Sequence, residues 1–370
     1  MTRILVNHFS PMPNRITGIS VYTWQILRAL VREGQFEYVL STNWDIDRLP
    51  SDVHSLGIQM VHRSVRSNET LALLQSTIEV PRIARRFGCA AIFHPQPTAM
   101  VAGMKTSVVT IHDLYRVTHA HLFNARQRLQ WEHFTARGFR AAGRLLAVSE
   151  ATRQDVLAAY PDLAGRVEVV HEASPIDAAP TLPPAPAFAK PYALVVANIT
   201  PNKNVQLLVE ALKRLADTGL RPRVVLVGRD EFGVLPQLLA GRADLDLLQA
   251  GSLSNEDLQS AYAHAHVYVN TSLTEGFCLP VLEAQTLGVP VICSDIPVLR
   301  EVGGAGARYI DPHDPASLAD AMREVFERAD VAERLSGEGT ANVARFSWAK
   351  AARETEALLA SVARTPQRAW

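Results

Sequence analysis

The sequence predicts an α/β protein of two doubly wound domains, each with a parallel sheet between layers of helices. Two observations predict this fold class. Short β-branched runs alternate with amphipathic helical patterns in both halves of the chain, as in strands joined by crossover helices. One proline-rich stretch interrupts the alternation, and 370 residues suffice for two domains of about 150 to 200 residues. We expect the two domains to face each other across a cleft.

The first domain is predicted over residues 1–175. Its strand patterns are short and rich in Val, Ile and Leu, and its helical patterns repeat apolar residues at three- and four-residue spacing. The predicted strands are 4–9, 37–40, 90–94, 107–111, 145–148 and 167–170, and the helical patterns include 19–32 and 124–142.

The stretch "SPIDAAPTLPPAPAFAKP" at 174–191 carries six prolines, so it can neither pair as a central strand nor continue as a helix. We predict an interdomain linker over 176–191. The second domain, 192–345, restarts the alternation with strands in "YALVVAN", "RVVLVG", "HVYVN" and "VPVIC" and helices at 205–217, 255–263 and from Pro280. The tail, 346–370, is a helix without a following strand, and we expect it to cross back to the first domain.

Composition excludes several classes of protein. The formal net charge is zero, which argues against a nucleic-acid-binding protein. Residues 1–175 still hold 19 Lys and Arg against 14 Asp and Glu, whereas the remainder holds 18 against 23. We therefore expect the two halves to bind different partners or to have differently charged surfaces. The three cysteines lack metal-ligand spacing and indicate a reduced, cytoplasmic compartment. No apolar run approaches the ~18 residues of a membrane span, so any membrane contact is expected to be peripheral.

Two other site types are disfavoured by pattern. The stretch "GGAGAR" at 303–308 resembles a dinucleotide fingerprint, but the last required glycine is replaced by Tyr309, which argues against a nicotinamide dehydrogenase. The histidines lack the Cys or carboxylate spacing of a metal site, so we expect no metal.

The segment "TSLTEGFCLPVLEA" at 271–284 places Glu275 in a loop after a predicted strand and Glu283 in the first turn of the next helix. The amides of Gly276, Phe277, Cys278 and Leu279 then surround a helix N-terminus, which binds anions such as phosphate. Taken singly, each acid is better explained without a ligand, Glu275 as a solvated loop residue and Glu283 as a residue that favours the helix dipole. Together with the glycine and proline between them, they favour a binding site.

Three further positions carry candidate chemistry. Lys203 in "ANITPNKN" would lie near a helix N-terminus, where a cation is unfavourable unless an anion binds too; a surface lysine on a turn is the alternative. His112 ends a buried-looking strand in "VVTIHDLYR" and can act as an acid, a base or a clamp, or can be a core histidine satisfied by Asp113. Gly18 opens the first helix and would let the backbone approach a substrate.

These motifs together resemble the family-4 retaining glycosyltransferases of the GT-B fold, in particular the mannosyltransferase-like group of bacterial polysaccharide assembly. The resemblance covers most of the chain. Its most specific part is the pair of glutamates eight positions apart in the second domain. The matching segments are "TGIS", "TIHDL", "LLAVSEATRQDVL", "PNKN", "GSLSNEDLQSAYAHA", "TSLTEGFCLPVLEA", "GVPVICSD" and "YIDPHDPASLADA".

The resemblance implies a nucleotide-sugar donor as substrate, with GDP-mannose expected first, and no cofactor or metal. It implies that Glu283 binds the ribose, that Glu275 binds the transferred hexose and that Lys203 neutralises the diphosphate. It also implies that His112 orients the reactants. The residues expected to complete the donor site are Gly18, Asn198, Leu253, Gly276, Phe277, Cys278 and Leu279.

The acceptor expected from the resemblance is a glycan or a lipid-linked oligosaccharide, at the inner face of the cell membrane. Arginines of the first half could attract anionic lipid headgroups, at about 1 kcal/mol for each charge near the surface. A solvated helix face explains the same charges equally well. The alternative functions are another GT-B chemistry, such as a nucleotide-sugar epimerase, and a non-catalytic sugar-nucleotide sensor. The arginines concerned are Arg82, Arg85, Arg86, Arg126, Arg128, Arg137, Arg140 and Arg144.

Overall fold

The structure is a computed structural model that describes residues 1–10, 13–64, 69–97, 104–120, 124–177, 183–186, 188 and 191–363. Within the predicted linker and tail, residues 178–182, 187, 189–190 and 364–370 lie outside this range. The chain divides into two compact units. The first unit comprises Met1–Glu172 and Ser347–Trp370, and the second comprises Ala173–Phe346.

The first unit contains a seven-stranded sheet in the order β3-β2-β1-β4-β5-β6-β7, with every pair parallel. The order reverses between β1 and β4, which creates the switch point at which doubly wound sheets bind ligands. The interior strands are almost fully buried because helices cover both faces. The strands are β1 (Arg3–Asn7), β2 (Glu37–Thr42), β3 (Gln59–His62), β4 (Cys89–His94), β5 (Ser107–Ile111), β6 (Arg144–Ala147) and β7 (Val167–Val169).

Helix α1 (Gly18–Glu33) begins with a capping box, in which the Thr17 side chain accepts from the Ser20 amide and the Ser20 hydroxyl accepts from the Thr17 amide. It ends at Gly34, whose left-handed conformation terminates the helix. The predicted helix at 124–142 is divided into α5 (Ala125–Gln130), a π-helix at Trp131–Ala136 and α6 (Arg137–Ala141). The other helices of this unit are α2 (Ser51–His54), α3 (Glu69–Arg86), α4 (Tyr115–Thr118), α5 (Ala125–Gln130), α6 (Arg137–Ala141) and α7 (Glu150–Ala159).

The second unit contains a six-stranded sheet in the order β10-β9-β8-β11-β12-β13, again parallel throughout. Apolar side chains from the strands and flanking helices form one core on β8, β9 and β11. The strands are β8 (Tyr192–Val196), β9 (Arg223–Val227), β10 (Leu247–Gly251), β11 (Val267–Asn270), β12 (Val291–Ser294) and β13 (Ala307–Ile310).

Helices α8 (Val205–Asp217) and α10 (Asn255–Ala263) have the predicted bounds. Helix α11 begins one residue earlier than predicted, with Pro280 in its second position, and Glu283 is its fifth residue. The prediction that Glu283 lies in the first turn is therefore wrong. The remaining helices are α9 (Leu235–Leu238), α11 (Leu279–Thr286), α12 (Pro297–Gly303), α13 (Pro315–Glu327), α14 (Ala329–Val343) and α15 (Trp348–Ala363).

Helix α15 follows the second unit in sequence but packs on α1 and the first sheet. The buried Tyr38 hydroxyl donates to Glu356 Oε1 at 2.9 Å, and the Trp348 ring lies 5.9 Å from the Tyr22 ring. Across the described residues, no helix is both long enough and apolar enough to cross a membrane.

Candidate functional site

The carboxyl edge of the second sheet gathers several of the sequence-predicted residues. Lys203 ends a short 3₁₀ turn (Pro201–Lys203) after β8, and Glu275 lies in the loop after β11. Strands β8 and β11 are neighbours in the sheet, so their loops meet although the two residues are 72 positions apart. Two bonds join the loops directly: Thr271 Oγ1 donates to the Lys203 carbonyl at 2.8 Å, and the Leu273 amide donates to the Asn202 carbonyl at 2.8 Å.

Lys203 and Glu275 form an ion pair in which Nζ donates to Oε1 at 2.6 Å. Their side chains are 24% and 11% exposed, so the pair is shielded but still reachable. The same Oε1 accepts from Ser272 Oγ at 2.6 Å and, more weakly, from Asn270 Nδ2 at 3.5 Å. These bonds fix the carboxylate through one oxygen. Ser272 and Asn270 were not singled out in the sequence, because a Ser and an Asn at a strand end are also common turn residues.

Backbone strain is concentrated around this ion pair. Among the described residues only Asn14, Asn204 and Cys278 combine a side chain with a positive φ. Asn204 directly follows Lys203 and is anchored by a 2.8 Å bond from its Nδ2 to the Pro312 carbonyl. Cys278, at φ 78°, caps the N-terminus of α11. Left-handed residues with a Cβ cost about 1 to 3 kcal/mol and cluster at functional sites.

The residues Gly276 to Leu279 form the N-terminal approach to α11. The Cys278 thiol is buried and accepts from Asn270 Nδ2 at 3.3 Å, and burial raises its pKa well above the usual value, so the thiol is neutral. The Phe277 ring packs edge-on against Phe346 at 5.8 Å. These contacts hold the first amides of α11 at the carboxyl edge of β11.

Glu283 is buried in the second turn of α11, 8% exposed. Burial raises the pKa of its carboxyl to about 7, and the nearby Tyr262 hydroxyl offsets part of the rise. A ligand that donates hydrogen bonds to this carboxylate would favour its ionised form and lower the raised pKa.

Asn198 contacts the loop that follows the neighbouring strand β9. Its Oδ1 accepts from the Arg229 amide at 3.0 Å, and the Arg229 guanidinium donates to Ser252 Oγ at 3.2 Å. Gly228 permits this approach, since a Cβ there would lie 2.0 Å from the Ala197 carbonyl oxygen. The half-buried Leu253 follows in the same loop. Sequence reasoning missed Arg229, although an arginine directly after the strand "RVVLVG" was the available signal.

His112 belongs to the first unit, at the carboxyl end of β5. Its Nε2 donates to the Pro95 carbonyl at 2.8 Å, and its Nδ1 pairs with Glu172 Oε1 at 3.2 Å. Burial lowers the pKa of His112, but the hydrogen bond and charge of Glu172, the Pro95 carbonyl and the charge of Asp113 together outweigh burial, so the pKa is raised. The Tyr22 ring stands edge-on to the imidazole at 4.8 Å. Sequence reasoning assigned Asp113 as the alternative partner and missed Glu172, which is 60 residues away.

Gly18 is the first residue of α1 in the same unit. A Cβ at Gly18 would meet no atom of the described chain within 4 Å, so the position has room beside its backbone. Its φ does not require glycine, which leaves the open space as the notable feature. Separately, no group of three or more His, Cys, Asp or Glu side chains in the described ranges could hold a metal ion.

Two parallel-sheet units, with a lysine, an acid and a helix N-terminus gathered at one sheet edge, are the features expected of GT-B-type glycosyltransferases. Comparison with known proteins agrees. A family profile described as "Glycosyl transferases group 1" matches residues 184–341, and one described as "Glycosyltransferase Family 4" matches residues 16–175. The chain belongs to the family-4 glycosyltransferases of the GT-B fold and is mannosyltransferase-like.

Relatives of known activity are similar over much of the chain. O-antigen chain mannosyltransferase B of Escherichia coli is 28% identical over 277 residues, which span 71% of this chain and 72% of that protein. O-antigen chain mannosyltransferase RfbU of Salmonella typhimurium is 30% identical over 161 residues, 42% of this chain and 43% of that protein. The structure of Anabaena Alr3699/HepE in complex with UDP and glucose matches with a TM-score of 0.75 at 18% identity, over 98% of this chain and 100% of that one. That last likeness shows the fold.

Proposed function

We propose that the protein is a retaining hexosyltransferase that moves mannose from GDP-mannose to a glycan or lipid-linked oligosaccharide during bacterial polysaccharide biosynthesis. The observation that carries the proposal is the Lys203–Glu275 ion pair beside the N-terminus of α11. The O-antigen mannosyltransferases among its relatives support the choice of sugar and pathway class. The Anabaena structure, a complex with UDP and glucose, supports a nucleotide-sugar donor in general.

The charges at the carboxyl edge of the second sheet explain how the protein would catalyse sugar transfer. Breaking the anomeric bond leaves positive charge on the sugar and negative charge on the departing diphosphate. Lys203 Nζ and the amides at the start of α11 would stabilise that negative charge, and because they are held in place they would need little reorganisation. Catalysis in this scheme uses the chain's own cation and needs no metal.

Donor binding would rearrange the ion pair. Lys203 would turn from Glu275 to the diphosphate, and Glu275 would remain fixed by Ser272 and accept hydrogen bonds from hydroxyls of the hexose. Glu283 would accept from the ribose hydroxyls, which favours its ionised form. The diphosphate therefore replaces the carboxylate as the partner of the lysine, and the hexose hydroxyls, together with Ser272, replace the lysine as the partners of Glu275.

His112 would orient the reactants rather than act as a nucleophile. Its two ring nitrogens both face acceptors, the Pro95 carbonyl and the Glu172 carboxylate, so the imidazole carries both protons when Glu172 is ionised. A cation fixed at the end of β5 would attract oxygen atoms of the acceptor. Gly18, in the same unit, would leave room beside its backbone for a ligand.

The protein is proposed to act in the cytoplasm at the inner face of the membrane, with arginines of the first unit contacting anionic lipid. Two of the eight arginines are within ion-pairing distance of carboxylates: Arg140 Nε contacts Asp162 at 2.9 Å and Arg144 Nε contacts Glu168 at 3.9 Å. The side chain of Arg126 lies outside the described residues. Sedimentation with anionic vesicles tests this part, and absence of salt-sensitive binding would remove it.

A donor panel tests the proposed function. GDP-mannose, UDP-glucose, ADP-glucose and dTDP-glucose are added in a thermal-shift assay, and nucleoside diphosphate release is followed with glycan acceptors. We expect GDP-mannose to raise the melting temperature most, because a ligand bound only to the native state stabilises it. Release of GDP with a glycan product supports transfer. A changed free sugar nucleotide would indicate an epimerase, and binding without turnover would indicate a sensor.

A further inference from the structure

A second polar cluster lies at the carboxyl edge of the first sheet, at its switch point. Asn7 and His94 are the last residues of β1 and β4, the neighbouring strands between which the strand order reverses. Arg63 directly follows β3, and its guanidinium reaches Asn7. Gln96 Nε2 donates to the Asn7 carbonyl at 3.2 Å. We call these four residues, together with Ser76, the Arg63 cluster.

Arg63 is 4% exposed, yet both of its hydrogen-bond partners are neutral. Its Nη2 donates to Asn7 Oδ1 at 3.0 Å and its Nη1 to Ser76 Oγ at 3.1 Å. In the described part of the chain, no carboxylate lies within 4.0 Å of the guanidinium. Burial lowers the pKa of Arg63 to about 10, partly offset by the charge of Glu79, so the side chain remains a cation at neutral pH.

Hydrogen-bond chemistry fixes the protons of the cluster. Arginine only donates, so Asn7 presents Oδ1 to Arg63 and its amide nitrogen to His94 Nδ1, at 3.0 Å. His94 Nδ1 therefore accepts. Burial, with the charge of Arg63, lowers the pKa of His94 to about 3, so the ring is neutral and its one proton is on Nε2.

Two N–H groups of the cluster have no hydrogen-bond partner among the residues that the structure describes. They are Arg63 Nε and His94 Nε2, and both are buried. A buried donor without a partner destabilises the folded state. A buried unpaired cation costs more, and hydrophobic replacement of buried charges is often neutral or stabilising. The unpartnered donors of Arg63 and His94 therefore lower the stability of the folded state, so selection for stability alone would disfavour this cluster.

We propose that the Arg63 cluster binds a phosphate group of the acceptor substrate. A guanidinium and a neutral imidazole N–H suit a phosphate, because arginine pairs with its oxygens through parallel N–H donors. The excess of basic residues in 1–175 would favour the approach of such an anion. The assignment of this phosphate to an acceptor rests on the proposed function, whereas phosphate binding itself does not.

The test measures phosphate binding with the nucleotide site filled. The full chain is saturated with GDP, and inorganic phosphate, glucose 1-phosphate and geranyl phosphate are titrated calorimetrically. Preference for glucose 1-phosphate indicates a soluble sugar phosphate, and preference for geranyl phosphate indicates a lipid-borne one. We expect Arg63→Met to bind the preferred probe at least tenfold more weakly than the wild-type protein does. Its melting temperature should equal or exceed that of the wild type. Arg63→Lys, which keeps the charge but loses the fork, should bind with intermediate strength.

Arg28→Met is the matched control, because Arg28 is also largely buried in the first unit but donates to Asp52, with Nη2 to Oδ1 at 2.8 Å. It should keep phosphate binding and lose stability. Unchanged phosphate binding in Arg63→Met, or a large fall in its melting temperature with wild-type binding in Arg63→Lys, would overturn the proposal. So would a crystal structure in phosphate that shows only water beside Arg63 Nε. Failure of GDP to bind would instead contradict the proposed function. The phosphate titrations of the wild-type and Arg63 variants would still test whether Arg63 binds phosphate.

Discussion

Replacing Lys203 with methionine removes the one cation that contacts Glu275 in the described structure, while it keeps most of the side-chain volume. Lys203 Nζ lies 2.6 Å from Glu275 Oε1, and the side chain is three-quarters buried at the edge of the second sheet. If the lysine stabilises the departing diphosphate, the variant loses an interaction that is strongest in the transition state. We therefore expect kcat to fall much more than KM rises.

Two magnitudes follow from the geometry. Removal of one preorganised charge-stabilising donor costs about 10² to 10³ in kcat, or about 3 to 4 kcal/mol. The folding cost should be smaller, about 1 to 3 kcal/mol, because Glu275 Oε1 keeps the bond from Ser272 and is not left wholly unpaired. Adding Glu275→Gln to the methionine variant should restore part of that stability and none of the activity, since the uncompensated carboxylate is then neutral.

The assay measures initial rates of GDP release and, in parallel, urea unfolding. Lys213→Met is the matched control, since Lys213 is also about three-quarters buried and pairs with Glu210 at 2.8 Å, on the surface of α8. The control should retain wild-type kcat. A Lys203→Met variant that folds normally and transfers sugar at the wild-type rate would refute the reasoning.

Three further predictions concern titration and backbone geometry. The carboxyl of Glu283 titrates near 7 in the folded chain and near 4.5 when unfolded, so stability should fall by about 3 kcal/mol as the pH rises through that interval. Glu283→Gln should abolish the fall in urea titrations, and an unchanged pH profile would contradict the assignment. Glu172→Gln should lower the raised pKa of His112, as read by imidazole NMR, and remove the stability that is present below pH 6.5 and lost as the pH rises through the folded pKa; an unmoved titration would exclude the pairing. Gly228→Ala should cost more than about 3 kcal/mol, because its Cβ would collide with a carbonyl, whereas Gly233→Ala has free space and should cost about 1 kcal/mol for its left-handed φ; equal losses in thermal unfolding would be inconsistent with the close approach.

The sequence predicted the interior strands and one edge strand, β7, but not the other three edge strands. Strand β5 has the predicted bounds, as have α8 and α10, because interior elements show clear apolar patterns. The strands absent from the prediction, β3, β10 and β13, all lie at sheet edges. Edge strands face solvent on one side, and the pattern of β10, with two exposed residues at its centre, shows why its apolar signal is weak.

The candidate site was readable only in part. Lys203 and Glu275 each follow a predicted strand, and the carboxyl ends of parallel strands lie at one edge of a sheet, so the fold class is consistent with their meeting. The partner of His112 was beyond sequence reasoning, because Glu172 follows a short strand whose neighbour in the sheet depends on the strand order. Arg63 gave no signal at all: an arginine after an unrecognised edge strand looks like a surface residue, and only burial distinguishes it.

A crystal structure of the protein with GDP-mannose, or with a carba-sugar analogue that cannot transfer, tests the central claim most directly. The account predicts the diphosphate within about 3 Å of Lys203 Nζ, the ribose hydroxyls on Glu283 and the hexose hydroxyls on Glu275. A nucleotide bound away from the carboxyl edge of β8 and β11, with Lys203 still paired to Glu275, would contradict it.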